Sequence, residues 1–241
     1  MKKHRSGCRL CGRDLEYFKT PRPLKCLGCG ESFDSEVSCE DGHFVCDSCH
    51  ARSGYIVIDD IAKKNASADP VSIATEMMKH DAINMHGPEH HHLVIAALLA
   101  AYKNSGGDID LDKALSVAGQ RSKNVPGGIC GQWGCCGAAV GSGIFISIIT
   151  GATPLSIKEW SQANKMTSLS LELISQNGGP RCCKRNTYLA ILTAMEFLKE
   201  EFGFTLDQSN SPNCVFCQNN PTCKGNGCLF RSCDNLSASL T

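Results

Sequence analysis

The chain has 241 residues, enough for one ordinary domain with a small module or two. Its 24 Lys/Arg balance 24 Asp/Glu, so net charge gives no argument for a nucleic-acid or membrane partner of the whole chain. Seventeen cysteines are far more than a chain of this size ordinarily carries. The opening MKKHRSGC has no apolar stretch behind its basic residues, and no apolar run reaches the roughly 18 residues of a membrane span. The expectation is a cytoplasmic protein with no membrane contact, whose thiols stay reduced and whose clustered cysteines bind metal.

Seven cysteines lie in residues 8–49, five in 130–183 and five in 214–233. This spacing divides the chain into a zinc-binding module over 1–54, a helical body over 55–206 and a cysteine-rich tail over 207–241. The expected fold class is mainly α: an all-α body carrying a small N-terminal metal module and a metal-binding tail.

In the head, Cys8-x2-Cys11 and Cys26-x2-Cys29 are followed by CEDGHFVCDSCH, which supplies Cys39, His43, Cys46 and Cys49. A CxxC turn presents two sulfurs on one side at tetrahedral spacing, and four such pairs fill two closed zinc sites. Consecutive pairing gives a ribbon followed by a Cys3His site. Crossed pairing, first with third and second with fourth, gives a RING-like brace. Spacing leaves both open. Cys46-x2-Cys49-His50 also fits the haem-attachment pattern, but no export signal accompanies it and both thiols have partners nearby. A segment of about fifty residues buries little core, so zinc is expected to supply its folding energy. The first 25 residues hold eight Lys/Arg and two acidic residues, a docking face for RNA or DNA that includes Lys2, Lys3, Arg5 and Arg9. A solvated knuckle surface is the plainer reading, since Tyr17 and Phe18 are the only aromatics there.

Residues 55–58, YIVI, read as a short strand. Asp69 and Pro70 open a helix, as N-cap and first residue, expected to run to about Met85. Pro88 begins a second, apolar nearly all round and therefore buried. Asp110 caps a third over 111–123, and the fourth, over 137–150, has small residues that permit close packing. SIKE at 156–159 reads as a capping box opening a fifth helix, which stops before Gly178. The sixth covers 182–202, with Tyr188, Leu189, Leu192, Met195 and Phe197 near helical spacing.

Two segments carry the chemistry. GICGQWGCCGAAVGSG (128–143) contains Cys130, Cys135 and Cys136; GGPRCCKRN contains Cys182 and Cys183. Each pair of adjacent thiols opens a helix, where free N–H groups and the helix dipole favour thiolate over thiol. Arg181, Lys184 and Arg185 add positive charge. A thiolate-ligated iron–sulfur cluster is anionic and takes such surroundings. The expected body ligands are Cys130, Cys136, Cys182 and Cys183, with Cys135 the alternative to Cys136. Arg181 and Arg185 are expected beside the cluster. A phosphate loop is excluded by the absence of GxxxxGK[ST]. In HGPEHHH (86–92), His86, Glu89 and His90 fall on one turn entering a buried helix, as a second metal site or a general acid and base; capping and packing is the equal alternative. Three consecutive histidines cannot all face one site.

The tail supplies Cys214, Cys217, Cys223, Cys228 and Cys233, spaced by Asn, Pro and Gly turns. Four of the five would close one zinc or one cubane cluster.

HGPEHH, GGICGQWGCCGAAVGSGIF and GGPRCCKRN, followed by the tail, resemble an uncharacterised cysteine-rich prokaryotic family found largely in anaerobes and methanogens. Some of its members also carry a zinc-like head ending in GHxVCDxCH. The resemblance spans most of residues 8–233 and brings no activity with it. A looser likeness links GCCGAAVGSG to helical cysteine-rich redox proteins with a Cys-Gly-Ala-x-x-Gly step, which implies redox or cluster chemistry. No CxxxCxxC occurs, so the chain is no radical enzyme of that type, although such an enzyme or another redox protein is an expected partner.

The function expected from the sequence is that of an iron–sulfur and zinc protein working in redox, sulfur-transfer or small-molecule activation chemistry. A zinc-only adaptor docking RNA, DNA or a protein through its basic head is the alternative. A thiol enzyme using Cys182 or Cys183 with a histidine base is the third reading.

Overall fold

The computed structural model describes residues 7–8, 10–209 and 211–231. Cys233 and the basic residues Lys2, Lys3, Arg5 and Arg9 lie outside the described residues. The architecture is mainly α, as expected, with a small antiparallel hairpin at the N-terminal end.

Strand β1 (Leu15–Lys25) pairs with β2 (Ser32–Cys39), in register from Leu15↔Cys39 to Tyr17↔Val37 and again from Arg22↔Ser35 to Lys25↔Ser32. A bulge between Tyr17 and Arg22 accommodates Pro21, which has no N–H for the ladder. The hairpin leads into α1 (Asp47–Lys64). The run at 55–58 is therefore helical, not the short strand its β-branched residues suggest. Ala51, Tyr55, Ile58 and Ala62 recur at helical spacing and are all buried, and burying that stripe outweighs local strand propensity. The helix runs unbroken through the expected boundary at residue 54.

Helix α2 (Pro70–Lys79) starts as expected, with Asp69 Oδ1 accepting from Val71 N at 2.8 Å. It ends six residues earlier than expected, at Lys79 rather than about Met85, because His80 turns the chain and its Nδ1 accepts from Ala82 N at 3.1 Å. Helix α3 (Glu89–Asn104) is the central element. Its residues from Glu89 to Ala101 are all buried, and it packs against α1, α2, α4 (Leu111–Ser122), which Asp110 caps, and two later helices, α6 (Gly137–Thr150) and α8 (Cys183–Phe202). The Ala-rich sequence lets five neighbours approach one helix.

A single turn, α5 (Ile129–Gln132), precedes α6 (Gly137–Thr150). Helix α6 lies against α7 (Lys158–Gln176) and α8 (Cys183–Phe202). Gly143 sets the α6–α7 distance: a Cβ there would run into Thr167 Oγ1 and stand 3.0 Å from the Ala163 carbonyl. The expected capping box at 156–159 does not form. Ser156 Oγ instead accepts from Thr153 N at 3.1 Å in a local turn, and α7 starts two residues later.

The tail lies along the body through Phe216 and Phe230, both buried, with Phe230 edge-on to Tyr188. Among the described residues, no helix is long and apolar enough to cross a membrane.

Candidate metal centres

The head forms two four-ligand groups, and they are crossed. Cys8 and Cys11 meet Cys39 and His43; Cys26 and Cys29 meet Cys46 and Cys49. In each group the ligand atoms lie within 4.8 Å of one another. The hairpin produces this pairing. β1 and β2 carry the first and third pairs to one end of the ladder, while the turn between them carries the second pair to the other end, where α1 begins. Tetrahedral zinc with bonds of about 2.3 Å spaces its sulfurs about 3.8 Å apart. The Cys11–Cys39 sulfurs are 3.7 Å apart and the Cys29–Cys46 sulfurs 3.9 Å, so the groups fit a single ion each. His43 Nδ1 stands 3.5 Å from Cys39 Sγ and 3.8 Å from Cys8 Sγ.

Backbone donors support the sulfurs. Gly28 N donates to Cys26 Sγ and Asp41 N to Cys39 Sγ, each at 3.3 Å. Burial opposes ionisation of Cys8, but the Cys11 and Leu10 N–H groups outweigh it and bring the thiol down to about 6. Cys26 comes down to about 6 against its own burial, through the N–H groups of Cys46, Cys29 and Gly28, while burial pushes neighbouring Cys46 up to about 12. Thiolate and thiol thus stand side by side, and a bound cation is what allows all four to ionise.

Below the head is a cavity of about 850 Å3, roofed by β2 and the first turn of α1 and floored by the body. Asp47 Oδ2 accepts from Gly127 N at 2.6 Å, and Gln132 hydrogen-bonds Glu36, so the head is seated on the 126–132 loop. Cys130, Cys136 and Cys183 line this cavity together with His86, His90 and Arg181. Cys135 faces neither it nor the adjoining cavity of about 920 Å3, which shares Cys130, Cys136 and Arg181. Asn186 Nδ2 donates to Cys136 Sγ at 3.4 Å, and the Gly87 N–H is directed at Cys183 Sγ. Helix ends do not lower these thiols. Burial pushes Cys183 up to about 12 and also raises Cys182, Cys130 and Cys135.

The three histidines diverge. His90 Nδ1 donates to the Gly87 carbonyl at 3.1 Å, and its buried Nε2 has no hydrogen-bond partner. His91 Nδ1 donates to the Val125 carbonyl at 3.1 Å, and its ring occupies the space a Cβ on Gly137 would take. His92 turns away, 2.7 Å from Asp59 and stacked on Tyr55. In His90 and His91 the backbone fixes the tautomer and leaves Nε2 with its lone pair, the form a metal or a proton requires. Burial and then the charge of Arg181 push His86 down to about 4, so it is neutral. Glu89 sits behind the cavity wall, buried against Gly54 and Gly87, with Oε1 accepting from Asn84 N and Nδ2 at 2.8 Å. Arg185 is a clamp: it donates to the carbonyls of Gly178 and Pro180.

Cys182 faces the tail. It lies within electrostatic reach of Cys223 and Cys228, as Cys214 does of all three. Cys217 is disulfide-bonded.

The body and tail features fall within one sequence family. The model of DUF5714, described as a family of unknown function, matches residues 58–231. The chain belongs to DUF5714. Neither a curated protein nor a solved structure matches it. The DUF5714 region begins inside α1 and ends at Arg231, so it takes in Cys130, Cys136, Cys183 and the tail cysteines described above, while both head groups precede it. Sequence reasoning missed two residues of the DUF5714 region, Asn186 and Asn220, and read Lys184 only as added positive charge beside the thiols. Asn186 and Lys184 stand in the GGPRCCKRN string, but only the turn of α8 shows which thiol each serves. Lys184 is fully buried, 3.2 Å from the Met78 carbonyl, and burial brings it down to about 8.

Proposed function

We propose that the protein is a metalloprotein whose crossed head groups hold two zinc ions and whose body cavity holds an iron–sulfur cluster on Cys130, Cys136 and Cys183, for redox or small-molecule activation chemistry. The observation that carries this reading is the convergence of three thiols, from α5, the start of α6 and the start of α8, on one cavity with His86, His90 and Arg181.

Two features support a cluster over a single ion. The body thiols share a cavity but are not drawn within the 4.8 Å that characterises each head group. A polynuclear cluster spreads its thiolates further than one ion does. Second, Arg181, the Asn186 amide and the Gly87 N–H surround the sulfurs with positive charge and N–H donors, which stabilise an anionic cluster. When bound, the cluster supplies electrons or a Lewis-acidic iron. The chain's own groups do the rest. Arg181 attracts an anionic substrate, neutral His86 and His90 exchange protons at their free nitrogens, and the head roof excludes water. Three cysteine ligands leave a face for substrate, which favours activation of a small molecule over electron transfer alone.

The test is anaerobic purification with iron, sulfide and zinc counted per chain. The expected result is iron and sulfide in near-equal amounts beside about two zinc. Cys136→Ser and Cys183→Ser should each lower iron while leaving head zinc intact, and Cys135→Ser should change neither. Zinc without iron, or iron indifferent to Cys136 and Cys183, overturns the proposal.

A further inference from the structure

We infer that Cys182, Cys214, Cys223 and Cys228 form a second thiolate metal centre, which fastens the tail to the start of α8. This ligand set shares no residue with the cavity centre, so either can fail without the other.

The tail has few other means of holding its shape. Phe216 and Phe230 are its buried aromatics, and Cys214 N donates to the Phe230 carbonyl at 2.6 Å, closing the segment on itself. Cys214 is buried between these anchors. Short turns at Cys217–Asn219 and Gly225–Gly227 fold the tail so that Cys223 N donates at 3.0 Å to the carbonyl of Asn220, which reaches Cys182, while Arg231, bridged to Cys214, donates its N–H at 3.4 Å to the Cys228 carbonyl. As with the body thiols, no three of these sulfurs are drawn within the 4.8 Å of the head groups. Lys224 Nζ donates to the Asn177 carbonyl at 2.5 Å, which holds the loop between Cys223 and Cys228 against the end of α7.

Three further observations match a metal site. The Phe216 N–H is directed at the Cys214 sulfur, the same two-residue step that Gly28 makes to Cys26 and Asp41 to Cys39 in the head groups. Asn220 Nδ2 points at Cys182 Sγ from 3.8 Å, a donor to the one ligand that comes from the body. The buried Lys184 Nζ lies 4.7 Å from the centre of the Phe216 ring, two residues from Cys214, and so brings a cation to the place where the tail meets α8. Four protein thiolates leave no open position, so this centre is closed to substrate. Its place one residue from Cys183 sets it beside the cavity.

The full-length protein, purified without oxygen, tests this directly. Metal and inorganic sulfide are counted for the native chain, for Cys182→Ser, for Cys183→Ser and for the Cys214→Ser/Cys228→Ser double variant. The expected result is that Cys182→Ser and the tail double variant each lose the same metal, that combining them loses no more, and that Cys183→Ser retains it. Sulfide lost in step marks a cluster; zinc lost alone marks a tetrathiolate ion. Retention of all metal by the tail variant, or loss of the same metal from Cys182→Ser and Cys183→Ser, overturns the inference. Should a variant not fold, thiol alkylation of the native chain decides. Cys182, Cys214, Cys223 and Cys228 should be protected together and exposed together by chelation. Exposure of Cys182 in step with Cys130 and Cys136 instead overturns it.

Discussion

His86 Nε2 and Asn220 Oδ1 meet at 3.4 Å, across 134 residues of sequence. The amide oxygen accepts, so the His86 proton sits on Nε2, and Nδ1 keeps its lone pair, buried without a hydrogen-bond partner. The same oxygen accepts from Thr222 N at 3.1 Å and Thr222 Oγ1 at 3.0 Å. One buried amide therefore orients a cavity histidine and shapes a tail turn. Asn220→Ala leaves several donors without their acceptor, and we expect it to cost about 2 kcal/mol. Urea unfolding of the metal-loaded protein measures this. An unchanged midpoint would show that the tail does not depend on this contact.

The crossed pairing in the head predicts which ligands share an ion. Cys8→Ser with His43→Ala should lose one zinc, and Cys26→Ser with Cys46→Ser the other. Cys8→Ser with Cys26→Ser should lose both, since each removes a ligand from a different group. Zinc content separates this from consecutive pairing, in which Cys8 and Cys26 would serve the same ion.

Gly143 predicts a packing defect. In Gly143→Ala the new methyl meets Thr167 Oγ1 and the Ala163 carbonyl, so α6 and α7 must part. We expect a loss of about 1–3 kcal/mol by thermal or urea unfolding. Thr167→Ala should recover part of it, because the backbone contact at 3.0 Å remains. Full additivity of the two changes would contradict the contact.

Tyr55 predicts alkaline behaviour. Burial pushes its phenol up to about 12, and in its protonated form the hydroxyl donates to Ser122 Oγ at 3.0 Å. The folded pKa is above the unfolded value of about 10, so the unfolded chain loses its proton first. Stability from this group is intact below pH 10 and falls as pH rises towards 12, by about 3 kcal/mol in all. Tyr55→Phe should flatten that fall while costing about 1 kcal/mol at neutral pH. Denaturant unfolding at stepped pH compares the slopes; equal slopes would mean the phenol titrates freely in the folded state.

The helices were legible where a cap and a periodic apolar stripe coincide. Asp69 and Asp110 mark the starts of α2 and α4 in plain sequence. The hairpin was not, because β1 reads as a basic, proline-containing surface with only one face against the rest of the protein. The eight head ligands could be named from spacing, but their pairing is set by strand register, which the CxxC turns do not encode. Adjacent thiols posed the hardest problem. Residues next to each other at a helix start diverge by about 100°, so Cys182 and Cys183 face different neighbours, and which neighbours depends on where the tail comes to rest. Burial likewise reversed the expected lowering of these thiols, since desolvation outweighs a helix end once the sulfur leaves water.

The head is joined to the body by a continuing helix and not by a flexible hinge, because Cys46 and Cys49 stand at the start of α1 while Tyr55, Ile58 and Ala62 further along it pack inward. Such a shaft transmits phase. One residue inserted between Cys49 and Tyr55 would swing the whole zinc module by about 100° about the shaft and take it off the cavity mouth, whereas seven would return it almost to its starting azimuth. The length of this stretch, about one and two-thirds turns from Cys49 to Tyr55, therefore sets the azimuth at which the roof meets the 126–132 loop.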